Sequence, residues 1–240
     1  MPKPEDRNDF PDCEFCPYVQ HGPWTVCVPC ASESLRKISD PCPICSQERE
    51  GQPCRNGLCT GSEGPRSIDR IEAISLYVEP LTRVVHRYKY EDKHGWARIF
   101  ARLLLGHLET HWDPEEVDLI VANPSGPDRS HTNRVLRFAR VHDFFDWWPF
   151  DDADAPSLDK TRITTQSAGG SYPGKQRAAR EHAEALRLVR RDLIEGQRIV
   201  VYDDICTTGL QLNAVARRLR EWGAESVCGI VLARQPWTGP

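Results

Sequence analysis

Toward the C-terminal end of the chain, Asp203-Asp204-Ile205-Cys206-Thr207-Thr208-Gly209 follows the apolar run Ile199-Val-Val-Tyr202 and leads straight into a helical pattern. A buried strand that ends in two acids and turns through Thr-Thr-Gly into a helix offers backbone N–H groups, two hydroxyls and the positive end of a helix dipole. Together these form a cradle for an anion, and Gly209 permits close approach. Asp203 and Asp204 repel a bare phosphate, so they should face groups that want acceptors: sugar hydroxyls, a divalent cation, or both. Phosphate and vicinal hydroxyls together describe a ribose 5-phosphate. A Walker-type loop is excluded, because no Gly-Lys-Ser/Thr follows. Cys206 sits inside the cradle, where backbone donors would lower its pKa, although a spacer role is the plainer reading.

The remaining cysteines form a second constellation. Eight of the ten lie between Cys13 and Cys59: Cys13-x-x-Cys16, Cys27-x-x-Cys30, Cys42-x-x-Cys45, then Cys54 and Cys59. A CxxC knuckle puts two thiolates on one side of a tight turn, and two half-sites complete a tetrahedral four-sulfur shell. Eight thiolates make two structural zinc sites, most simply Cys13, Cys16, Cys27 and Cys30 around one ion and Cys42, Cys45, Cys54 and Cys59 around the other. Spacing also permits a cross-braced pairing, an iron-sulfur centre or a nucleic-acid-binding ribbon. Two closed shells leave no open coordination position, and only Arg36, Lys37, Arg49 and Arg55 supply positive charge in this stretch. A metal-held support or docking module is therefore preferred over a DNA-gripping one.

The elements that must position these groups follow from composition and periodicity. The chain has 240 residues, 39% of them hydrophobic, and a net charge of -4, which gives no global attraction to nucleic acid. No apolar run approaches the length of a membrane span, and the charged, proline-bearing start MPKPEDRND does not resemble a secretory signal. A cytoplasmic protein without membrane association is expected, in keeping with thiols that hold metal in a reducing compartment. The organisation reads as a loose segment over 1–12, a double zinc ribbon over 13–59, a linker over 60–66 and an α/β domain over 67–240. Periodicity predicts strands over 71–78, 118–122, 198–202 and 227–233. It predicts helices over 80–90, 96–111, 132–142, 175–193 and 210–222. Such alternation implies a parallel sheet flanked by helices, with ligands at the carboxyl ends of the strands.

The Asp203–Gly209 stretch resembles the PRPP-binding signature of type I phosphoribosyltransferases. The order of a cysteine-rich front, His86-Arg-Tyr-Lys-Tyr90, an apolar strand with the loop Asn123-Pro124-Ser125-Gly126, and the Thr-Thr-Gly loop is similar to the ComF family over nearly the whole length. The resemblance implies a type I phosphoribosyltransferase fold behind a double zinc ribbon. Asp203 and Asp204 would hold the ribose hydroxyls and associated magnesium, and Ile205 to Gly209 the 5-phosphate. Val121 to Gly126 would form the pyrophosphate loop, with Thr165, Gln166, Lys175 and Arg177 in or beside a flexible loop. The chain departs from the family in having Val-Ala-Asn-Pro in place of a Val-Pro-Val-Pro-like run, His131-Thr-Asn-Arg134 after it, and a Gly- and Ser-rich stretch over 167–174.

The implied reaction displaces pyrophosphate from C1 of PRPP by a nitrogen nucleophile. Lys89, Arg87, Arg129, Lys175 and Arg177 are the available cations. The alternative is a non-catalytic competence-type factor for DNA uptake or interaction, with single-stranded DNA or a competence-machinery protein as partner. The basic residues over 175–193 read as an exposed helix with side-chain charge pairs such as Glu184 with Arg187 at i+3, rather than as a nucleic-acid face. The run Asp143-Phe-Phe-Asp-Trp-Trp-Pro-Phe-Asp-Asp152 reads as buried rings with an acidic turn, or else as a hood over a base-like substrate.

Overall fold

The computed structural model describes residues 35–62, 64–91, 93–126, 131–165 and 171–236. Cys13, Cys16, Cys27, Cys30, Arg129 and Gln166 lie outside the described residues.

Four strands form one parallel sheet, β1 (Ile71–Leu76), β2 (Leu119–Ala122), β5 (Arg198–Cys206) and β6 (Ser226–Arg234), in the order β1-β6-β5-β2. β5 and β6 lie in the middle, which explains their Val/Ile content: strands covered on both faces must be apolar throughout. Alternation along β5 divides the core. Val200 and Tyr202 face α2 (Leu81–Tyr90), α3 (Trp96–His111) and α4 (His131–His142). Ile199 and Val201 face α6 (Leu210–Glu221) and the cysteine segment, including Leu58 of the short helix α1 (Gly57–Thr60). Phe150 extends the sheet beyond β2 by a single parallel bridge to Ile120.

Three expectations are corrected. The segment over 175–193 is not one helix. α5 (Tyr172–Ala185) stops at Ala185, and the chain continues as β4 (Leu186–Leu188), antiparallel to β3 (Leu158–Lys160). The expected Glu184–Arg187 pair is replaced by Glu184 with Arg162 and Arg187 with Asp159, which leaves these charges on a solvated face. The strand predicted over 198–202 runs on to Cys206, because its ladder with β6 continues through Ile205↔Ala233 and Cys206↔Arg234. The two acids thus lie within the strand, two residues short of its end, rather than at the end itself. The acidic-aromatic run buries Trp148 and Phe150 and leaves Phe144, Phe145 and Trp147 exposed, away from the main cavity.

Candidate functional site

A cavity of about 510 Å³ opens over the carboxyl end of β5, lined by residues of the β2 and β5 loops and by β3, α2, α5 and α6. Because side chains alternate along a strand, Asp203 and Asp204 leave β5 in different directions. Asp204 meets Lys89 of α2, with Nζ 2.7 Å from Oδ2. Burial alone would lower the Lys89 ammonium, but the Asp204 carboxylate outweighs it and holds Lys89 above its ordinary value.

Asp203 ends a hydrogen-bonded chain that begins at Lys160, the last residue of β3. An ammonium can only donate, so Lys160 Nζ donates to His182 Nδ1 at 3.0 Å. His182 must then carry its proton on Nε2, which donates to Asn123 Oδ1 at 2.8 Å, and Asn123 Nδ2 donates to Asp203 Oδ2 at 2.7 Å. Burial and then the Lys160 charge push His182 down to about 3, so the ring is neutral. Burial and then the neighbouring Asp204 charge raise the Asp203 carboxyl, with the Asn123 amide working against them. Lys160 is 4% exposed, and among the described residues no carboxylate lies within ion-pair distance of it; its other partner is the Ser125 carbonyl at 3.4 Å. Burial lowers it. A buried ammonium without a carboxylate, facing a cavity, is a seat for an anion.

Beyond Cys206 the loop reaches Gly209 at φ 83°, a left-handed conformation. A Cβ there would lie 2.9 Å from Leu58 Cδ2 and 3.1 Å from Ile71 Cδ1. The glycine is thus required by the backbone turn and by packing from beneath. Thr208 Oγ1 accepts from Leu210 N at 3.4 Å, and the N-terminus of α6, whose first-turn N–H groups have no intrahelical acceptor, borders the cavity through Gly209, Gln211 and Leu212. Cys206 is buried, and burial raises its thiol, which agrees with the spacer reading rather than with an activated thiol.

Under this loop lies the cysteine centre. The sulfurs of Cys42, Cys45, Cys54 and Cys59 all fall within 4.8 Å of one another, with Cys42–Cys59 and Cys45–Cys54 each at 3.7 Å. These distances are far too long for disulfides. A tetrahedron with metal–sulfur bonds of about 2.3 Å has edges of roughly 3.8 Å, so the spacing suits a single tetrahedral ion such as zinc. It leaves no room for the inorganic sulfides of an iron-sulfur cluster. A second observation agrees. Arg234 is fully buried, and among the described residues it meets no carboxylate. Its Nη1 donates to the Cys206 carbonyl at 3.0 Å and to the Thr207 carbonyl, and its Nη2 lies 4.0 Å from Cys45 Sγ. Four thiolates around a divalent ion carry a net negative charge, which is the counter-charge this guanidinium otherwise lacks.

Of the residues singled out in the sequence, Asp203 to Gly209, Asn123, Ser125, Lys89, Lys175 and Thr165 line the one cavity. Pro124 is buried beneath the loop, Gly126 follows it at intermediate exposure, and Arg177 faces a separate shallow hollow on α5 with Arg180 and Glu184. Lys160 and His182 were missed. Neither has a motif, and they meet only because β3 and α5 are brought together over Asn123.

No protein-family model matches the chain. It is 27% identical over 209 residues to competence protein ComFC of Streptococcus pneumoniae, covering 87% of each chain. It is 24% identical over 218 residues to DNA utilization protein YhgH of Escherichia coli K12, covering 86% of this chain and 88% of that protein. Competence protein F of Haemophilus influenzae is 24% identical over 198 residues, 80% of this chain and 84% of that protein. Among solved structures, a purine phosphoribosyltransferase from Pyrococcus horikoshii aligns with a TM-score of 0.32 at 18% identity, covering 60% of this chain and 78% of that one. Along most of its length the chain is thus a homologue of the ComFC, competence protein F and YhgH proteins.

Proposed function

We propose that this chain binds magnesium-PRPP in the cavity over β5 and transfers ribose 5-phosphate to a nitrogen nucleophile, releasing pyrophosphate. The observation that supports the reading is the meeting, in one cavity, of the Thr207–Gly209 cradle, the paired acids Asp203 and Asp204, and the buried Lys160 at the Asn123–Gly126 loop. A ligand that satisfies all three carries a terminal phosphate, vicinal hydroxyls and a second anionic group. PRPP is such a ligand.

In this reading Thr207, Thr208 and the N–H groups of α6 take the 5-phosphate, and Asp203 and Asp204 accept from the ribose hydroxyls. Lys89, 2.7 Å from its carboxylate, keeps Asp204 in place. The C1–O bond breaks with its electron pair leaving on pyrophosphate, the incoming nitrogen supplies the pair for the new C1–N bond, and the proton it sheds passes to solvent. Lys160, oriented by neutral His182, and the loop donors near Asn123 stabilise the leaving anion. Asp203 and Asp204 are the residues that would hold magnesium, which when bound would supply neutralisation of the departing charge. The cysteine segment 13–59 is read as a double zinc ribbon with two structural ions, 60–66 as its connection and 67–240 as the phosphoribosyltransferase-like domain. A thiol-held metal suits the cytoplasm.

Isothermal titration of the zinc-loaded chain with PRPP and Mg²⁺ tests the reading: saturable heat supports it and its absence overturns it. Pyrophosphate release across candidate amines and bases then tests transfer. A second reading, a non-catalytic DNA uptake or interaction factor, is favoured by the names of the homologues. Salt-dependent binding to single-stranded DNA that PRPP leaves unchanged would select it.

A further inference from the structure

The phosphate cradle and the cysteine centre are joined by two side chains that belong to neither. Asn56 caps α1 by accepting from Leu58 N at 3.0 Å, and its Nδ2 donates to the Thr208 carbonyl at 3.0 Å while lying 3.6 Å from Cys45 Sγ. Arg234, at the last position of β6, holds the carbonyls of Cys206 and Thr207 and reaches toward the same sulfur. Three consecutive carbonyls of the cradle, at residues 206, 207 and 208, are therefore held by side chains that also approach the Cys45 sulfur, the first of them shared with the Gln235 N–H at 2.9 Å. Fixing those carbonyls downward turns the following N–H groups up toward the cavity. Leu58, on the same cysteine segment, closes the space under Gly209.

We propose that the metal centre of Cys42, Cys45, Cys54 and Cys59 is a working part of the anion site, with Asn56 and Arg234 as positioning residues that make the cradle's shape depend on the centre being occupied. With the ion in place, the thiolates supply the negative charge that keeps Arg234 buried beneath the loop, and Asn56 stays on the α1 turn that Cys54 and Cys59 bracket. Without it, Arg234 is a buried cation lacking a counter-ion, and the turn that carries Asn56 and Leu58 loses its anchor. The consequence is a cradle whose N–H groups no longer converge. The ligand affected is any phosphate monoester held there. The proposal rests on the reading of that loop as a phosphate seat, but its first readout does not.

The test compares the full-length wild-type chain with Cys54→Ser, which removes one rim ligand of this centre and leaves the loop untouched, and with Asn56→Ala and Arg234→Lys. Two quantities are measured in magnesium-free buffer: hydrogen exchange of the amides at 206–210, and affinity for ribose 5-phosphate. The expected result is faster exchange at 206–210 in Cys54→Ser, with the amides of β5 before Asp203 and of β6 keeping wild-type protection. Ribose 5-phosphate binding should weaken roughly fivefold or more, as follows when a buried acceptor is stripped of its donor. Asn56→Ala should retain the metal and show the same faster exchange. Arg234→Lys, which keeps the charge but loses the fork, should retain metal yet bind ribose 5-phosphate more weakly. Wild-type exchange rates at 206–210 after loss of the metal overturn the proposal. If the wild-type chain fails to bind ribose 5-phosphate, the phosphate-seat reading fails, while the exchange arm still decides the coupling.

Discussion

Asp203 should set the pH dependence of ligand binding. Its ionised form accepts from sugar hydroxyls or a cation, and burial beside Asp204 holds its carboxyl above the ordinary carboxylate range. Affinity for magnesium-PRPP is therefore expected to rise with pH through that elevated value, and Asp203→Asn should remove the magnesium-dependent part and flatten the profile, as read by titration calorimetry at several pH values. For stability the sign is opposite. The folded value exceeds the unfolded one, so this carboxyl weakens the fold as pH rises between the two. Lys160 offers a complementary test. Lys160→Met removes a buried charge that has no carboxylate partner among the described residues, and Gln211 Nε2, 3.4 Å from His182 Nδ1, can take over as donor to the ring. The melting temperature should hold or rise, while PRPP binding falls roughly tenfold to a hundredfold and ribose 5-phosphate binding is spared. Equal losses for both ligands would remove Lys160 from the leaving-group side.

Among the elements, β5 and its loop were the most legible, because an Ile-Val-Val-Tyr run, two acids and Thr-Thr-Gly each carry a local signal. The span over 175–193 was misread for an equally local reason. The Ala-rich pattern of α5 runs without a breaker into Leu186-Arg-Leu188, and nothing in that tripeptide declares a strand until Leu158–Lys160 lies alongside it. Gly209 lines the cavity, and a Cβ there would also meet Leu58 and Ile71, a packing demand that the turn motif does not reveal. Gly209→Ala is expected to cost about 1–3 kcal/mol, from a forced left-handed alanine and overpacking against Leu58. Thermal or urea melts would measure it, and the paired change Gly209→Ala with Leu58→Ala should recover the packing part but not the backbone part.

At the scale of the whole molecule, the described cysteine segment packs into the same apolar cluster as the sheet: Cys42, Cys45 and Leu58 share it with Ile199, Val201 and Leu212. The chain should therefore unfold in one cooperative transition, and stripping the metal should lower the midpoint of the entire transition. Two separated transitions, with only the first moved by a chelator, would mean that the segments on either side of 60–66 are independent. Metal analysis of the purified chain is expected to return two zinc ions per chain and a colourless protein. Among the described residues no helix is long and apolar enough to cross a membrane.

What the sequence determined by itself is chemistry that lies in short runs: an acid pair followed by a hydroxyl-glycine turn, CxxC knuckles, and apolar periods that alternate strand with helix. Each of these is a local signal, because the groups that cooperate are only a few residues apart. The tertiary structure alone decided which distant groups complete them. Lys160, His182, Asn123 and Asp203 form one hydrogen-bonded chain whose widest bond joins residues 80 apart in sequence. Arg234 and Asn56 reach the cradle from 27 and 152 residues away. A buried charge has no sequence pattern of its own. It is tolerated only where folding brings a partner or leaves a ligand-sized space, and both conditions arise from packing.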